Sequence, residues 1–587
     1  MRTRMLIISI ALVLLGGIIS LGVRTTGGIT VEHTVFAGGN GIMRAGTLYI
    51  PPGVSAENPA PGIVATHGYI NTRDTMQPVS LELARRGYVV LNMDQTGHGL
   101  SGPPAFANGF GGPAPLQYLQ SRSFVQNGNI GLIGHSMGGP ASVTAAATYP
   151  ESYSSMVLIA SAPRYAISHY LPFKESDEFL KNVAVVWDKY DEFSQLMAAS
   201  RLATGVTEDP KAQTLFGTNE PIEESRIYGS INDGSARKLE LITTIHPFMT
   251  QNGEAIGQTV DWIQKTVPGG NEMASSDQIW GWHEFGSLLA YLGIIMALFP
   301  IGSIVLRHAY FTELSETPPE AKGLSGKGKL ISAVLAGAIG ILTYFPLTGL
   351  GYSMSTTALF PQQITNGIMV WAVSNGIIIL VLFSVWHRTS NRDKGATMVN
   401  YGLTWEDTNR VNWRKVGKAV LFGLLVAGIT YVLVSICNWA FKVSPHFWVF
   451  TIKEFTVDDF VTFLSYLIPI SFYFFAFAVL FQGQLRSPAA SQNKVGTEMI
   501  RNFLTITIPF VILLLAEYIP RLSGGTLLTP GNPLWVIIAF QFIPILGIAA
   551  LISTFFYRKT GRLYPGAFIN GALMTWLIVA SQATHVL

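Results

Sequence analysis

The stretch Ile130-Gly131-Leu132-Ile133-Gly134-His135-Ser136-Met137-Gly138-Gly139-Pro140 decides how this chain is read. An apolar run leads into Gly134-His135-Ser136-Met137-Gly138, and a helix pattern of small residues follows from Pro140 to Thr148. Strand, sharp turn and helix is the context that lifts a serine hydroxyl out of the end of a sheet. The turn holds the serine in strained backbone geometry. Its neighbours two before and two after must therefore be small, and glycine meets that need. The five-residue pattern alone is weak in a chain with 59 glycines, so its surroundings carry the argument.

Upstream, Thr30–Val35 and Gly46–Ile50 alternate around Gly39-Asn40-Gly41, which predicts an antiparallel hairpin. Pro61–Thr66 reads as a buried strand ending in His67-Gly68-Tyr69. A helix pattern at Gln77–Arg86 precedes a strand at Tyr88–Met93, which runs into Asp94-Gln95-Thr96-Gly97-His98-Gly99-Leu100-Ser101. A helix near 114–122 comes before the strand that carries the serine. Downstream lie strands at Ser155–Ala160, Asn182–Trp187 and Ala236–Ile245, then a helix from Glu254 to Lys265. Strands apolar on both faces and alternating with helices predict a mostly parallel sheet covered by helices.

This order resembles the α/β-hydrolase family over about 240 residues. The resemblance rests on His67-Gly68 after the third strand, Asp94-x-x-Gly97-His98-Gly99-x-Ser101 after the fourth, and Gly134-x-Ser136-x-Gly138 after the fifth. It implies a triad in the order serine, acid, histidine, with Ser136 as nucleophile. A hydroxyl is a poor nucleophile near neutral pH and needs an oriented base. The resemblance puts the acid a few residues past the strand after Ser155–Ala160, which selects Asp191. Asp188 is the alternative, and Asp233 a weaker one at the wrong end of the last strand. The base follows the last strand, which selects His246, with His169 a weak rival. Backbone N–H groups of Met137 and Tyr69 are the implied oxyanion donors. His67 and His98 sit in loop motifs and read as structural. Asp191 and His246 are 55 residues apart, longer than one β-α-β step, so 195–232 is an excursion or a small lid.

Only 12% of the 587 residues are charged, against roughly 25% in soluble domains, and the deficit lies after residue 285. The N-terminus reads Met1-Arg2-Thr3-Arg4 and then an apolar run from Met5 to Val23. That run is longer than the usual signal-peptide core and predicts an uncleaved anchor. Eight further spans are predicted at 286–306, 330–350, 366–386, 416–437, 460–481, 502–520, 534–557 and 564–583. With the N-terminus inside, the short inner segments hold nineteen Lys and Arg and the outer loops three: Lys442, Lys453 and Arg521. Basic residues favour the cytoplasmic side, so the region 30–280 is expected outside the cytoplasm of a multi-pass cell-membrane protein. Glu517 is the ionisable exception within spans two to nine and lies near a span end.

The expected organisation is an anchor at 1–27, an α/β-hydrolase domain at 28–275 and an all-α polytopic membrane domain at 276–587. A net charge of +3 without a dense basic cluster argues against nucleic acid. The single Cys437 excludes an intrachain disulfide and a multi-Cys metal site. His33, His67, His98 and His135 lack ligand spacing, so no metal and no cofactor are expected. The later spans resemble degenerate CAAX-protease-like intramembrane proteins around Phe481-Gln482-Gly483-Gln484-Leu485 and Tyr557–Gly566. Phe477 and Ala478 stand where that family has paired glutamates, and Phe568, Ile569 and Asn570 where it has a histidine; this implies an inactive scaffold. The expected activity is serine hydrolysis of an ester or acyl substrate, small-molecule or lipid, with membrane lipid as neighbour. A peptidase, an acyltransferase or a non-enzymatic transport or assembly protein are the alternatives.

Overall fold

A computed structural model describes residues 2–38, 41–405, 409–488 and 494–586. Its first element is the apolar helix α1 (Arg2–Arg24). A hairpin follows, β1 (Thr30–Ala37) with β2 (Met43–Ile50), antiparallel with Thr30 opposite Ile50. Gly39 and Asn40 of the expected turn lie outside the described residues. Then come β3 (Ala60–Thr66), α2 (Gln77–Arg85), β4 (Val89–Met93), a one-turn α3 (Ala107–Phe110), α4 (Pro113–Gln120), β5 (Val125–His135), α5 (Gly138–Thr148), β6 (Ser155–Ile159) and β7 (Val183–Asp188). The excursion before the last strands builds α6 (Ser194–Met197), α7 (Pro210–Phe216) and β8 (Ile227–Tyr228). β9 (Arg237–Ile242) and α8 (Gly253–Thr266) complete the layer.

The sheet order is β1-β2-β4-β3-β5-β6-β7-β9-β8. The run from β4 to β9 is parallel, and the hairpin and β8 extend its two edges with antiparallel pairs. Side chains alternate across a strand, and here both faces are buried. Ile63, Val90 and Ile133 pack under Leu83, Ile256, Val260 and Ile263 of α2 and α8. Val64, Leu91 and Leu132 meet Leu116, Leu119, Val143 and Ala146 of α4 and α5. Each fully buried aliphatic chain contributes about 1.5–3 kcal/mol. The second cluster does not stop at these helices but continues without a break into the C-terminal half, a bundle of apolar helices.

That half consists of α9 (Trp280–Val305), α10 (Gly326–Leu342), α11 (Tyr344–Tyr352), α12 (Gln363–Trp386), α13 (Trp413–Phe441), α14 (Val457–Ala478), α15 (Val495–Leu522), α16 (Pro533–Thr560) and α17 (Tyr564–Val579). Among the described residues, eight helices are long and apolar enough to cross a membrane by length and composition, counting α1 and taking α10 and α11 together. The ninth expected span, 564–583, is a shorter apolar helix that runs from the Thr560 end of α16 back toward the hydrolase domain. Its helix has 16 residues, about 24 Å against a bilayer core of about 30 Å. The chain leaves it near Ala580 because the tail is bound elsewhere. Gln362 Nε2 donates to the Val579 and Gln582 carbonyls, and Thr584 N donates to the Gly97 carbonyl at 2.9 Å. α10 packs closely on α15 at Gly337, where a Cβ would meet the Pro509 ring at 2.5 Å. Glu517 accepts from Thr529 N at 3.0 Å and Thr529 Oγ1 at 2.8 Å, capping its own loop.

Candidate active site

Ser136 sits between β5 and α5 with φ of 52°, the left-handed region that costs a non-glycine residue energy. The turn is held by Ser136 N donating to the Ile159 carbonyl at 2.8 Å and Gly139 N donating to the Ser136 carbonyl at 2.9 Å. The flanking glycines have no room for a side chain. A Cβ on Gly134 would collide with the Gly138 carbonyl, and one on Gly138 with the Thr66 carbonyl. The backbone thus closes on itself under the serine and pushes its hydroxyl outward.

His246 begins the turn after β9 and is 3% exposed; Asp191 lies three residues past β7 and is fully buried. His246 Nδ1 is 2.7 Å from Asp191 Oδ2. Burial alone would lower the imidazole pKa, but the charge of Asp191 and its hydrogen bond outweigh that and raise it above 6.5. Ser136 and His246 line one cavity of about 560 Å³. No hydrogen bond joins the Ser136 hydroxyl to His246 among the described residues, an open arrangement that such pairs often tighten only around substrate. Tyr69 and Met137 line the same cavity, and their N–H groups find no backbone acceptor. A Cβ on Gly68 would lie 3.1 Å from the Ser136 Cβ, so this loop passes close beside the serine.

The two rival acids are placed differently. Asp188, at the end of β7, is fully buried with both oxygens unpartnered. Burial and the neighbouring charges of Asp191 and Glu192 push its pKa well up, which favours the neutral acid. Asp233 is exposed and bonds Ser235. His169 stacks on Tyr165 at 5.7 Å, outside the cavity lining. His67 and His98 tie loops together: His67 Nε2 accepts from Gln95 N at 3.0 Å, and His98 Nε2 bonds the Tyr69 carbonyl at 2.6 Å. Asp94 pairs with Arg73 at 2.5 Å.

Sequence reasoning missed the part that the bundle of apolar helices plays here. Tyr352, Val449, Pro533, Leu534 and Ile537 complete the wall of the cavity, and His585 of the tail meets Tyr69 Oη at 3.0 Å. Glu192, beside Asp191, accepts His246 N at 3.0 Å and the Tyr518 hydroxyl of α15. Burial and the charge of Asp191 raise the Glu192 carboxyl to about 7. Arg521, at the end of the same helix, donates to the Asp191 carbonyl, to Arg201 O at 3.0 Å and to Ser194 Oγ at 3.2 Å. The loop of Asp191 and Glu192 is therefore gripped by the apolar helix α15. Replacing Arg521 with Met removes these bonds and leaves the two carbonyls only Ser194 N at 3.4 Å and Ser194 Oγ at 3.2 Å. It should lower kcat/KM about 10- to 100-fold, the 1.5–3 kcal/mol typical of hydrogen bonds to a charged group. Steady-state kinetics of the full chain check this, and an unchanged kcat/KM would mean that the grip does not position the acid.

Residues 57–230 match the family described as serine aminopeptidase, S33, a range that holds Ser136 and Asp191 and ends before His246. No curated protein matches the chain. Solved structures similar to it include a Pyrococcus furiosus esterase, at 14% identity over 41% of this chain and 94% of that one with a TM-score of 0.29. A dienelactone hydrolase from Anabaena variabilis matches at 17% over 41% and 99%, TM-score 0.29. Est1E from Butyrivibrio proteoclasticus, solved with ferulic acid, matches at 16% over 40% and 97%, TM-score 0.28. The fold rests on the strand order and the family match, not on likenesses at that score. With a parallel sheet, a strained serine turn after β5 and a family match across both, the chain carries an α/β-hydrolase domain of the serine-hydrolase class, joined to a bundle of apolar helices.

Proposed function

We propose that the protein is a membrane-anchored serine hydrolase that cleaves apolar acyl esters, lipid esters included, on the outer side of the membrane. Ser136 Oγ attacks the ester carbonyl and its proton passes to His246 Nε2. Asp191 holds the imidazole and offsets the charge it gains. The N–H groups of Met137 and Tyr69 receive the negative charge that develops on the carbonyl oxygen. His246 then gives its proton to the departing alkoxide, and water, activated by the same imidazole, releases the acid and restores Ser136.

One observation carries the choice of substrate. The described lining of the cavity holds no Lys, Arg, Asp or Glu; it is built from Ile70, Phe106, Phe110, Leu171, Leu534, Ile537 and similar side chains. An enzyme that takes a free amino terminus must pair an ammonium, and leaving that charge unpaired in such a lining costs several kcal/mol. An ester with an apolar acyl chain has no such group. Tyr170 and Leu196, 51% and 40% exposed, form an apolar rim beside the membrane helices, where a lipid tail is at hand. The outer side is supported by the charge distribution: Lys453 and Arg521 bond Thr72 and Arg201 of the hydrolase domain, and nineteen Lys and Arg fall in the alternate segments of the chain against three in these.

Hydrolysis of p-nitrophenyl esters of rising chain length, set against aminoacyl amides, tests the reading on the full chain in detergent. Long-chain esters should be preferred. Ile537→Trp, which fills the membrane-side wall, should cut long-chain turnover roughly 10-fold or more while sparing the acetyl ester, since pocket methylenes are worth about 1–3 kcal/mol. If aminoacyl amides turn over faster than every ester, the substrate class is wrong.

A further inference from the structure

A second cluster of chemical groups lies away from the catalytic cavity. His283 and Glu284 stand in the first turns of α9, and His446 lies in the short strand β10 (His446–Phe447), which pairs with β11 (Phe450–Thr451) in the segment between α13 and α14. One ligand atom from each of the three lies within 4.8 Å of the other two. His283 and His446 are 0% and 1% exposed.

The hydrogen bonds around the cluster leave its centre without a proton donor. His446 Nδ1 is 2.9 Å from the Ser444 carbonyl, which can only accept, so Nδ1 carries the hydrogen. Its Nε2 then turns a lone pair toward Glu284 Oε2 at 3.0 Å. A proton or a metal ion must stand between two lone pairs at that distance, and the orphaned atoms around them favour the metal. His283 Nδ1 is 2.5 Å from Ser20 Oγ of α1, and its Nε2 is buried with no partner. Glu284 Oε1 is likewise buried without a partner, and Oε2 takes one bond from Gln251 Nε2 at 3.1 Å. Orphaned acceptors of this kind are rare in native interiors.

We propose that His283 Nε2, the Glu284 carboxylate and His446 Nε2 bind one divalent transition-metal ion of the zinc class. Two imidazoles and a carboxylate suit that class, whereas calcium and magnesium ask for six or more oxygens. Donors about 2.0–2.2 Å from a tetrahedral zinc lie roughly 3.3 Å apart, close to the observed His446–Glu284 separation. The Ser444 carbonyl and the Ser20 and Ser287 hydroxyls hold the far side of each ring, the outer shell that orients metal-bound histidines. Glu284 also lines a surface cavity of about 530 Å³ with Gln251 and Phe447, a path for the ion. None of the three residues lines the catalytic cavity, so the ion is structural. It joins α1 and α9 to the segment whose Lys453 reaches Thr72 Oγ1 of the hydrolase domain at 2.6 Å.

The test is metal analysis of the full chain, stripped with chelator, equilibrated with zinc and desalted. Parent protein should retain about one zinc per chain and gain thermal stability from it, since a ligand bound only by the folded state raises Tm. His283→Gln and His446→Gln should each lose the retained zinc and the zinc-dependent Tm shift. Far-UV circular dichroism and gel filtration serve as the fold check, which keeps this result separate from the fate of the hydrolase reading. If a variant fails that check, the d–d spectrum of the cobalt-substituted parent reports the ligand set instead: a four-coordinate band supports the site, and a six-coordinate aquo-like band overturns it. A parent without zinc above buffer overturns the proposal in favour of a proton held between His446 and Glu284. Zinc retained equally by both variants overturns it as an adventitious ion only.

Discussion

Ser136→Ala should abolish turnover and fluorophosphonate labelling while the protein keeps its fold. The loss in kcat should be on the order of 10⁶-fold, because a triad acts as a unit and no neighbouring group replaces its nucleophile. The fold survives for a local reason. The turn is built by backbone bonds from Ser136 N and O and by two glycines with no space for a Cβ, and none of these involves the hydroxyl. Alanine meets the same positive φ that serine already tolerates. Ester kinetics and gel-based labelling of parent and variant decide the matter; equal labelling of the alanine form would place the nucleophile elsewhere.

The second large effect separates two carboxylates three residues apart. Asp191→Asn should lower kcat by roughly 10⁴-fold, the usual cost when the partner of a catalytic imidazole can no longer hold the right tautomer. Asp188→Asn should cost less than about 10-fold, since Asp188 is buried, favours its neutral form and makes no bond to His246. The pH profile adds a sign. His246 works as a base when neutral, so kcat/KM rises with pH through its pKa. In the parent, burial lowers that pKa but Asp191 outweighs it, so the acid limb should lie above pH 6.5. Removing the charge of Asp191 should move the limb to lower pH, and Asp188→Asn should leave it nearly in place. The reverse ranking would make Asp188 the partner of the histidine.

Much of the hydrolase domain was legible because its signals are local. Two-residue alternation, the glycines around Ser136 and the turn residues after each strand are properties of neighbours in the chain, and the structure places strands and helices within a few residues of those positions. The apolar runs of the spans are legible for the same reason. The ninth helix ends earlier than its apolar run because the tail is drawn to Gln362 and Gly97, which length and hydropathy cannot show. The long step between Asp191 and His246 was visible as an anomaly, but not that part of it would form an edge strand on β9. Nor could spacing find a cluster whose members, Glu284 and His446, are 162 residues apart.

The sequence by itself determined a parallel sheet with a strained serine turn, the order of Ser136, Asp191 and His246, and a long apolar half with its basic residues on one side. Each of these is written in side-chain period, backbone chemistry or composition over a short window. Only the tertiary structure decided that His246 meets Asp191 rather than Asp188, that Tyr518 and Arg521 of α15 grip the loop of Asp191, and that Tyr352, Pro533, Leu534 and Ile537 close the cavity at Ser136. Those contacts join residues hundreds of positions apart. They exist because the apolar cluster under the sheet and the apolar interior of the bundle pack as one body, an outcome of burial that no local pattern encodes.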